Sequence, residues 1–360
     1  MSRIPLVDLA AAHAEVAEEV EAGFKRVLAT TAFVGGAEVS AFEREYAAFA
    51  GLPHCVGVAN GTDALELAFR AVGVGPGSEV ILPANTFIAT AEAVARTGAD
   101  VVLVDCDPDT YLIDTDAALN AVTPRTKAIA PVHLYGQLAP VERLREAGVT
   151  IVEDAAQSQG ATRHGLGSGA DGIAATSFYP GKNLGAYGDA GAVTTASAEW
   201  ATAVRTLGSH GGLRKYHHDV VGVNSRLDGL QAVVLRAKLA RLAVWNEQRR
   251  AAAARYDELL KDLDRVVRPV VLDGNVPVWH IYCVQVPNRD DVLAELNAAG
   301  IGAAIHYPIP VHRTGAFASL GGSFPNAERV AGRILSLPIY PQITPEQQAR
   351  VAELLRKACM

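Results

Sequence analysis

The chain has 360 residues, of which 49% are hydrophobic and 20% charged, and its formal net charge is −7. This composition excludes an intrinsically disordered chain, and the length predicts a large core divided between two domains. The Lys and Arg residues are scattered, which argues against a nucleic-acid partner. The four cysteines are widely spaced, which argues against a disulfide or zinc framework, and no apolar run reaches the ~18 residues of a membrane span. We therefore predict a cytoplasmic protein.

Short apolar runs alternate with amphipathic stretches over the first two thirds of the chain. The runs that predict buried strands are residues 56–58, 80–82, 101–104, 128–132 and 151–152. The stretches between them that predict helices include residues 64–72, 88–96 and 141–147. Buried strands that alternate with helices predict a mainly parallel sheet covered on both faces. Functional side chains then belong at the carboxyl ends of the strands.

The last third of the chain has a different pattern. Residues 225–260 are rich in Ala, Leu, Arg, Lys and Gln, which predicts one long helix or two. Beyond them we predict a strand at 279–286, a helix at 290–299 and a strand at 301–306. We therefore expect a large domain over residues 1–240, with an N-terminal helical segment, and a smaller C-terminal α/β domain over residues 241–360.

Two motifs place a lysine and an aspartate where chemistry can use them. Lys182 lies on a tight Pro-Gly turn in SFYPGKNLG, among apolar neighbours, and burial makes a neutral lysine amine available as a nucleophile. Asp154, in EDAAQ, ends a predicted buried strand, where a carboxylate needs a cationic or donor partner. A Schiff-base lysine and an aspartate that holds a pyridinium proton are the two groups that a pyridoxal phosphate enzyme requires. A solvated turn lysine and a capping carboxylate are the alternatives.

A phosphate-binding element is predicted near the first strand. Gly61 and Thr62 precede a predicted helix, whose N-terminus offers free N–H groups and a positive dipole end. Ser177 can add a second hydroxyl. Gln157 can donate to the phenolic oxygen of a pyridoxal ring, and Phe87 can lie flat on that ring. Each alone has an ordinary alternative, such as a helix cap or a core aromatic.

Longer motifs resemble those of the DegT/StrS-type nucleotide-sugar aminotransferases, which are fold-type I pyridoxal phosphate enzymes. They occur in order over nearly the whole chain: GTDALELAFRAVGVGPGSEVILPANTFIAT, HLYGQ, IVEDAAQSQGA, SFYPGKNLGAYGDAGAV and GVNSRLDGLQAVVL. The resemblance implies an aspartate aminotransferase-like α/β fold, with pyridoxal 5′-phosphate as cofactor and pyridoxamine phosphate as its aminated form. Some relatives that replace the lysine with histidine are dehydratases, so the lysine here implies transamination.

The resemblance also implies a role for each cofactor-binding residue. Lys182 forms the Schiff base, Asp154 pairs with the ring nitrogen and Gln157 meets the phenolic oxygen. Phe87 stacks on the ring. The residues that hold the phosphate are Gly61, Thr62 and Ser177, together with Asn224 of the neighbouring subunit in a homodimer.

Within the family, the closer likeness is to enzymes that aminate C3 of a dTDP-linked 3-keto-6-deoxyhexose, with L-glutamate as the amino donor. The motifs behind this likeness are SHGGLRKYHHDVVGVNSRLDGLQ, PVWHIYCV and IHYPIPVH. The substrate-binding residues implied are Tyr187, Lys215, Tyr216, His306 and Tyr307.

Three alternatives remain open from the sequence. A C4 keto-sugar aminotransferase more often has Gly-Tyr-Asn where this chain has residues 222–224. A cyclitol aminotransferase would keep the same cofactor residues, and a non-catalytic regulator would keep only the fold. No metal site is predicted, because adjacent histidines such as His217 and His218 point apart in most backbones.

Overall fold

The computed structural model describes residues 3–359 and has one seven-stranded sheet and two small two-stranded sheets. The strands in chain order are β1 (His54–Val58), β2 (Glu79–Pro83), β3 (Asp100–Val104), β4 (Thr126–Ile129), β5 (Thr150–Asp154), β6 (Thr162–Arg163), β7 (Ile173–Ser177), β8 (Gly191–Thr195), β9 (Asn275–Val276), β10 (Tyr282–Gln285) and β11 (Ile334–Leu337). The large sheet has the order β1-β8-β7-β5-β4-β2-β3. Strand β8 is antiparallel to both of its neighbours, and the other pairs are parallel, which confirms the prediction of a mainly parallel sheet.

Helices cover the sheet and form much of the C-terminal third. In chain order they are α1 (Leu9–Ala14), α2 (Ala17–Thr30), α3 (Gly36–Ala50), α4 (Gly61–Ala71), α5 (Ile88–Thr97), α6 (Thr115–Asn120), α7 (Val141–Leu144), α8 (Ala198–Gly208), α9 (Gly229–Leu259), α10 (Arg289–Ala298), α11 (Pro325–Ala331) and α12 (Pro345–Ala358). None of the helices within residues 3–359 is both long and apolar enough to cross a membrane.

Two elements show why the sequence folds this way around the site. Strand β2 is buried at every position, because helices cover both faces of the sheet. Helix α4 begins where the Asn60 side chain accepts a hydrogen bond from the backbone N–H of Asp63, at 2.8 Å. This cap fixes the first turn of α4 at the end of β1.

Helix α9 connects two hydrophobic cores, the second of which surrounds β10, β11 and α12. Leu235 and Leu242, in its first half, pack in the core beneath β1 and β8. Ala252 and Tyr256, in its second half, pack in the core around β10, β11 and α12. The predicted domain division at residues 240/241 therefore falls inside one continuous helix, and it stays a prediction.

The strand predicted at residues 301–306 is wrong. Ile301 and Ala304 each form only an isolated bridge, to Ile4 and Ser336 respectively. The backbone between them forms no continuous ladder, although Ile301 is buried in the second core. Burial by contact with two separate segments produced the apolar pattern that the sequence analysis read as a strand.

Candidate active site

A pocket of about 710 Å³ opens where the carboxyl ends of β1, β2, β5 and β7 converge. Its wall also includes residues from the second core, so it lies between the two halves of the chain. The predicted site residues that line it are Gly61, Thr62, Phe87, Asp154, Gln157, Ser177, Lys182, His306 and Tyr307. The topology thus brings together residues that are distant in sequence, as expected for strand ends in an open parallel sheet.

Lys182 lies on a turn after β7, where its backbone N–H donates to the carbonyl oxygen of Tyr179 at 2.8 Å. Burial lowers the pKa of the Lys182 amine to about 8, and the negative charge of Asp154 opposes this shift. A substantial fraction of the amine is therefore neutral near physiological pH, as a nucleophile or a base requires.

Asp154 ends β5 and is 6% exposed. Its Oδ2 accepts a hydrogen bond from the Thr90 hydroxyl at 2.7 Å, and its Oδ1 accepts from the backbone N–H of Ala156 at 3.1 Å. These donors stabilise the ionised carboxylate inside the pocket. Thr90 was not predicted as a site residue, although it lies in the first turn of the helix predicted at residues 88–96, close to Phe87.

The orientation of the Gln157 amide is fixed by its partners. Its Oε1 accepts from the backbone N–H of Tyr135 at 2.6 Å, and a backbone N–H can only donate. The Nε2 group therefore points the other way and donates to the phenolic oxygen of Tyr307 at 3.1 Å. One N–H of that amide remains for a ligand in the pocket.

The first turn of α4 and the end of β7 form a close-packed cradle. A Cβ atom at Gly61 would lie 2.6 Å from Cβ of Ser177, so only glycine lets the two segments approach this closely. The hydroxyls of Thr62 and Ser177 line the same part of the pocket as the N-terminus of α4. This combination of free N–H groups, hydroxyls and a helix dipole is suited to a phosphate group.

Aromatic and imidazole rings form the facing wall. Phe87 is half exposed, and its ring centroid lies 5.2 Å from that of Tyr307. Nδ1 of His306 lies 2.8 Å from the Ser336 hydroxyl. Burial, and to a smaller extent the charge of Lys182, lower the pKa of His306 to about 4, so this ring is neutral.

These residues fit pyridoxal phosphate. The cradle at Gly61 suits the phosphate, and the buried carboxylate of Asp154 suits a protonated ring nitrogen. The free N–H of Gln157 suits a phenolic oxygen, and the amine of Lys182 suits the aldehyde carbon. Each requirement is met by donor chemistry or packing of this chain.

Four predicted residues lie outside the pocket. Asn224 is exposed, and so are Lys215 and Tyr216 on the loop that precedes it. Tyr187 is partly exposed, with its ring 4.7 Å from Nζ of Lys238 and its hydroxyl against His13. Their assigned roles in cofactor or substrate binding stay predictions.

The pocket wall also contains residues that were not predicted from the sequence. Leu6 and Val7 come from the N-terminal segment, Tyr179 and Asp189 flank Lys182 in sequence, and His280 lies just before β10. His280 lies in PVWHIYCV, a motif quoted for its family resemblance without a role for this residue. Only the SFYPGKNLG motif gave a local signal for Tyr179.

The fold and the site are those of a pyridoxal phosphate enzyme, and comparisons with known proteins agree. Residues 14–356 match the DegT/DnrJ/EryC1/StrS aminotransferase family. A dTDP-3-amino-3,4,6-trideoxy-alpha-D-glucose transaminase from Streptomyces venezuelae is 45% identical, over 99% of this chain and 96% of its own. A UDP-N-acetyl-3-dehydro-alpha-D-glucosamine 3-aminotransferase from Acidithiobacillus ferrooxidans is 46% identical, over 98% of this chain and 97% of its own.

Solved structures are similar along the whole chain. The crystal structure of S. venezuelae DesV in complex with a ketimine intermediate has a TM-score of 0.97 and 45% identity, and covers 99% of this chain and 98% of that chain. The structure of NtdA from Bacillus subtilis with bound cofactor PMP has a TM-score of 0.92 and 31% identity, and covers 100% of this chain and 86% of that chain.

The chain therefore belongs to the DegT/DnrJ/EryC1/StrS aminotransferase family. It is an aminotransferase that uses pyridoxal phosphate. The predicted family, fold-type I architecture, enzyme class and cofactor are confirmed.

Proposed function

We propose that this enzyme transfers the amino group of L-glutamate to C3 of a dTDP-linked 3-keto-6-deoxyhexose. The observation that carries the proposal is 45% identity, over nearly the whole chain, to the dTDP-3-amino-3,4,6-trideoxyglucose transaminase. The names of both relatives described above place the amino group at C3, although they differ in nucleotide and sugar. The C3 position is thus better supported than the nucleotide.

The apolar part of the pocket suits the ring of a 6-deoxy sugar. Of the two basic side chains in the pocket wall, Arg96 is paired with Asp63 at 3.3 Å and with Glu66 at 2.7 Å, and Lys182 is the proposed Schiff-base residue. Apolar side chains occupy the part of the pocket next to the second core; they are Leu6, Val7, Ile281, Leu337 and Ile339. Such a surface suits the methyl group of a 6-deoxy sugar.

The proposed roles of the catalytic residues follow from their geometry. Bound pyridoxal phosphate supplies a carbonyl carbon that accepts the amino group and a ring that withdraws electrons from the substrate carbon. Asp154, held by Thr90 and Ala156, keeps a proton on the ring nitrogen by its negative charge. Lys182 holds the cofactor covalently, and when released its neutral amine takes the proton from the α-carbon of glutamate.

A homodimer with shared active sites is part of the proposal. The loop before Asn224 exposes apolar and aromatic side chains, with Val221 97% and Tyr216 83% exposed. The loop is anchored at its base, where the N–H of Asp219 donates to the carbonyl oxygen of Gly211 at 2.8 Å. An ordered loop with exposed apolar residues supports an interaction with a second subunit.

We also place the enzyme in the cytoplasm, where its four buried, free cysteines stay reduced.

The proposal is tested by supplying the purified holoenzyme with L-glutamate and a panel of keto sugars. The panel contains a dTDP-3-keto-6-deoxyhexose, a dTDP-4-keto-6-deoxyhexose, a UDP-linked 3-keto sugar and a cyclitol ketone. The product mass and the position of the new amine are then determined. We expect C3 amination of the first compound with the highest kcat/KM. Preference for any other member, or a lack of turnover with all of them, would overturn the substrate assignment.

A further inference from the structure

His280 is a partly buried imidazole in the wall of the pocket that contains Lys182. It lies on the extended segment between β9 and β10. Its Nδ1 is 3.2 Å from Oδ1 of Asn183, the residue that follows Lys182 in the chain. The His280 ring is therefore hydrogen-bonded to the turn that carries Lys182.

The direction of this hydrogen bond is determined by a chain of amides behind it. Nδ2 of Asn183 donates to the backbone carbonyl oxygen of Val278 at 2.9 Å and to Oδ1 of Asn246 at 3.0 Å. Nδ2 of Asn246 in turn donates to the backbone carbonyl oxygen of Gln159 at 2.9 Å. Backbone carbonyl oxygens can only accept, so neither amide can be reversed.

Both donors of the Asn183 amide are thus used, and only its carbonyl oxygen faces His280. Nδ1 of His280 must carry a proton in order to bond with it. In a neutral imidazole this leaves the lone pair on Nε2. Asn183 and Asn246 are both buried, so this arrangement is isolated from water that could replace either partner.

The surroundings keep His280 neutral. The ionisable groups that act on it are Lys182, Arg249 and His306, and none of them carries a negative charge that would stabilise a protonated ring. Arg249 is itself buried behind the segment, where it donates to the carbonyl oxygens of Trp279 and Ile339. Burial and these groups lower the pKa of His280 well below its usual value.

We propose that His280 is a positioning residue for Lys182, whose turn it fixes by donating a hydrogen bond from Nδ1 to Oδ1 of Asn183. Because Asn183 follows Lys182 directly, this bond holds the main chain of the lysine and so orients its amine towards the α-carbon of glutamate. When the C–H bond breaks, the proton moves to Nζ of Lys182 and the electron pair stays with the substrate. The neutral imidazole adds no positive charge beside the ammonium that forms, in a pocket where burial disfavours that ammonium. The inference rests on the proposed role of Lys182 and is independent of the keto sugar.

The first test is the tautomer of His280, measured by ¹⁵N NMR of histidine-labelled wild-type protein without cofactor. We expect a neutral ring with its proton on Nδ1. His133 is an internal control with the opposite arrangement, because its Nδ1 accepts from the N–H of Ala139 and its Nε2 faces Glu153. A proton on Nε2 of His280, or an imidazolium at pH 7, would overturn the proposal.

The second test is the half-reaction with glutamate, with and without deuterium at the α-carbon. His280→Leu removes the donor to Asn183, and we expect the rate to fall about 10- to 100-fold, with a larger isotope effect and unchanged KM for glutamate. His280→Gln retains a donor N–H and should recover most of the rate. His164→Asn, on an exposed loop, is the matched control, since asparagine tolerates the positive φ of 49° there.

The outcomes separate this role from others. A Leu variant with normal rate and isotope effect would overturn the proposal. So would a defect confined to KM for the keto sugar, because His280 would then act on the substrate and not on the turn that carries Lys182. If the wild-type enzyme does not react with glutamate, the assigned amino donor fails, whereas the tautomer measurement remains decisive for His280. Should the Leu variant not fold, the Gln variant and the wild-type NMR data decide.

Discussion

Gln157 and Tyr307 are 150 positions apart in the chain, and Nε2 of the first donates to the phenolic oxygen of the second at 3.1 Å. Gln157 follows β5 of the large sheet, and Tyr307 lies in the segment between α10 and α11. The same amide accepts from the backbone N–H of Tyr135, so one side chain connects three parts of the pocket wall. The orientation of this amide leaves one N–H for the proposed contact with the cofactor.

This connection predicts unequal effects of two substitutions on the free energy of unfolding. Gln157→Leu removes the acceptor for the N–H of Tyr135, a residue with a φ of 61°, and leaves a buried donor unsatisfied. We expect a loss of about 1–3 kcal/mol. Tyr307→Phe removes one hydroxyl and should cost only about 0.5–1.5 kcal/mol. Urea denaturation of both variants is the measurement, and equal stabilities would contradict the assigned amide orientation.

Lys182→Ala should abolish transamination and the covalent attachment of the cofactor. Lys238 is the informative comparison, because burial also lowers its pKa to about 8. Its Nζ donates to the carbonyl oxygen of Gly185 at 2.7 Å, however, and it does not line the pocket. Borohydride reduction and peptide mapping should therefore find the cofactor on Lys182 in wild-type protein and in Lys238→Met. Attachment to any other lysine would refute the assignment.

Asp154→Asn should preserve the fold and cripple proton transfer. An amide carries no charge to hold the proton on the ring nitrogen, so the rate should fall about 100-fold, or about 2.7 kcal/mol of transition-state stabilisation. The charge of Asp154 also raises the pKa of Lys182. Its removal lowers that pKa, so the free amine of the cofactor-free protein should appear at lower pH than in wild type. Amine labelling as a function of pH measures this; a shift to higher pH, or normal turnover, would defeat the proposed role.

The sequence predicted those parts of the site that depend on local pattern. Asp154 and Lys182 lie in short motifs next to apolar strand-like runs, and Gly61 precedes a recognisable helix, so strand ends could be located from the chain alone. The parallel arrangement then placed them at one edge of the sheet.

Features that depend on distant partners could not be predicted in this way. The apolar run at residues 301–306 predicts a strand, because the run does not reveal that Ile4 and Ser336 pair with it from separate segments. The bond between Asn183 and His280 spans 97 positions, and nothing in either local sequence indicates it. The continuity of α9 across two cores is likewise set by packing, since the composition allowed one helix or two.

The last prediction concerns the shared active site. Asn224 is exposed and outside the pocket of its own chain, while the adjacent Ser225 is buried and its hydroxyl accepts from the N–H of Ala59 at 3.1 Å. This anchor holds the segment in place and leaves Asn224 free to reach a neighbouring subunit. If it binds the cofactor phosphate there, Lys182→Ala and Asn224→Ala proteins should complement each other when co-refolded. In each hybrid dimer one site carries both substitutions and the other carries neither, so activity should rise well above that of either parent. Co-refolding each variant with itself is the control, and sedimentation should show dimers in every sample. A fully active monomer, or hybrids without recovered activity, would show that each subunit completes its own site.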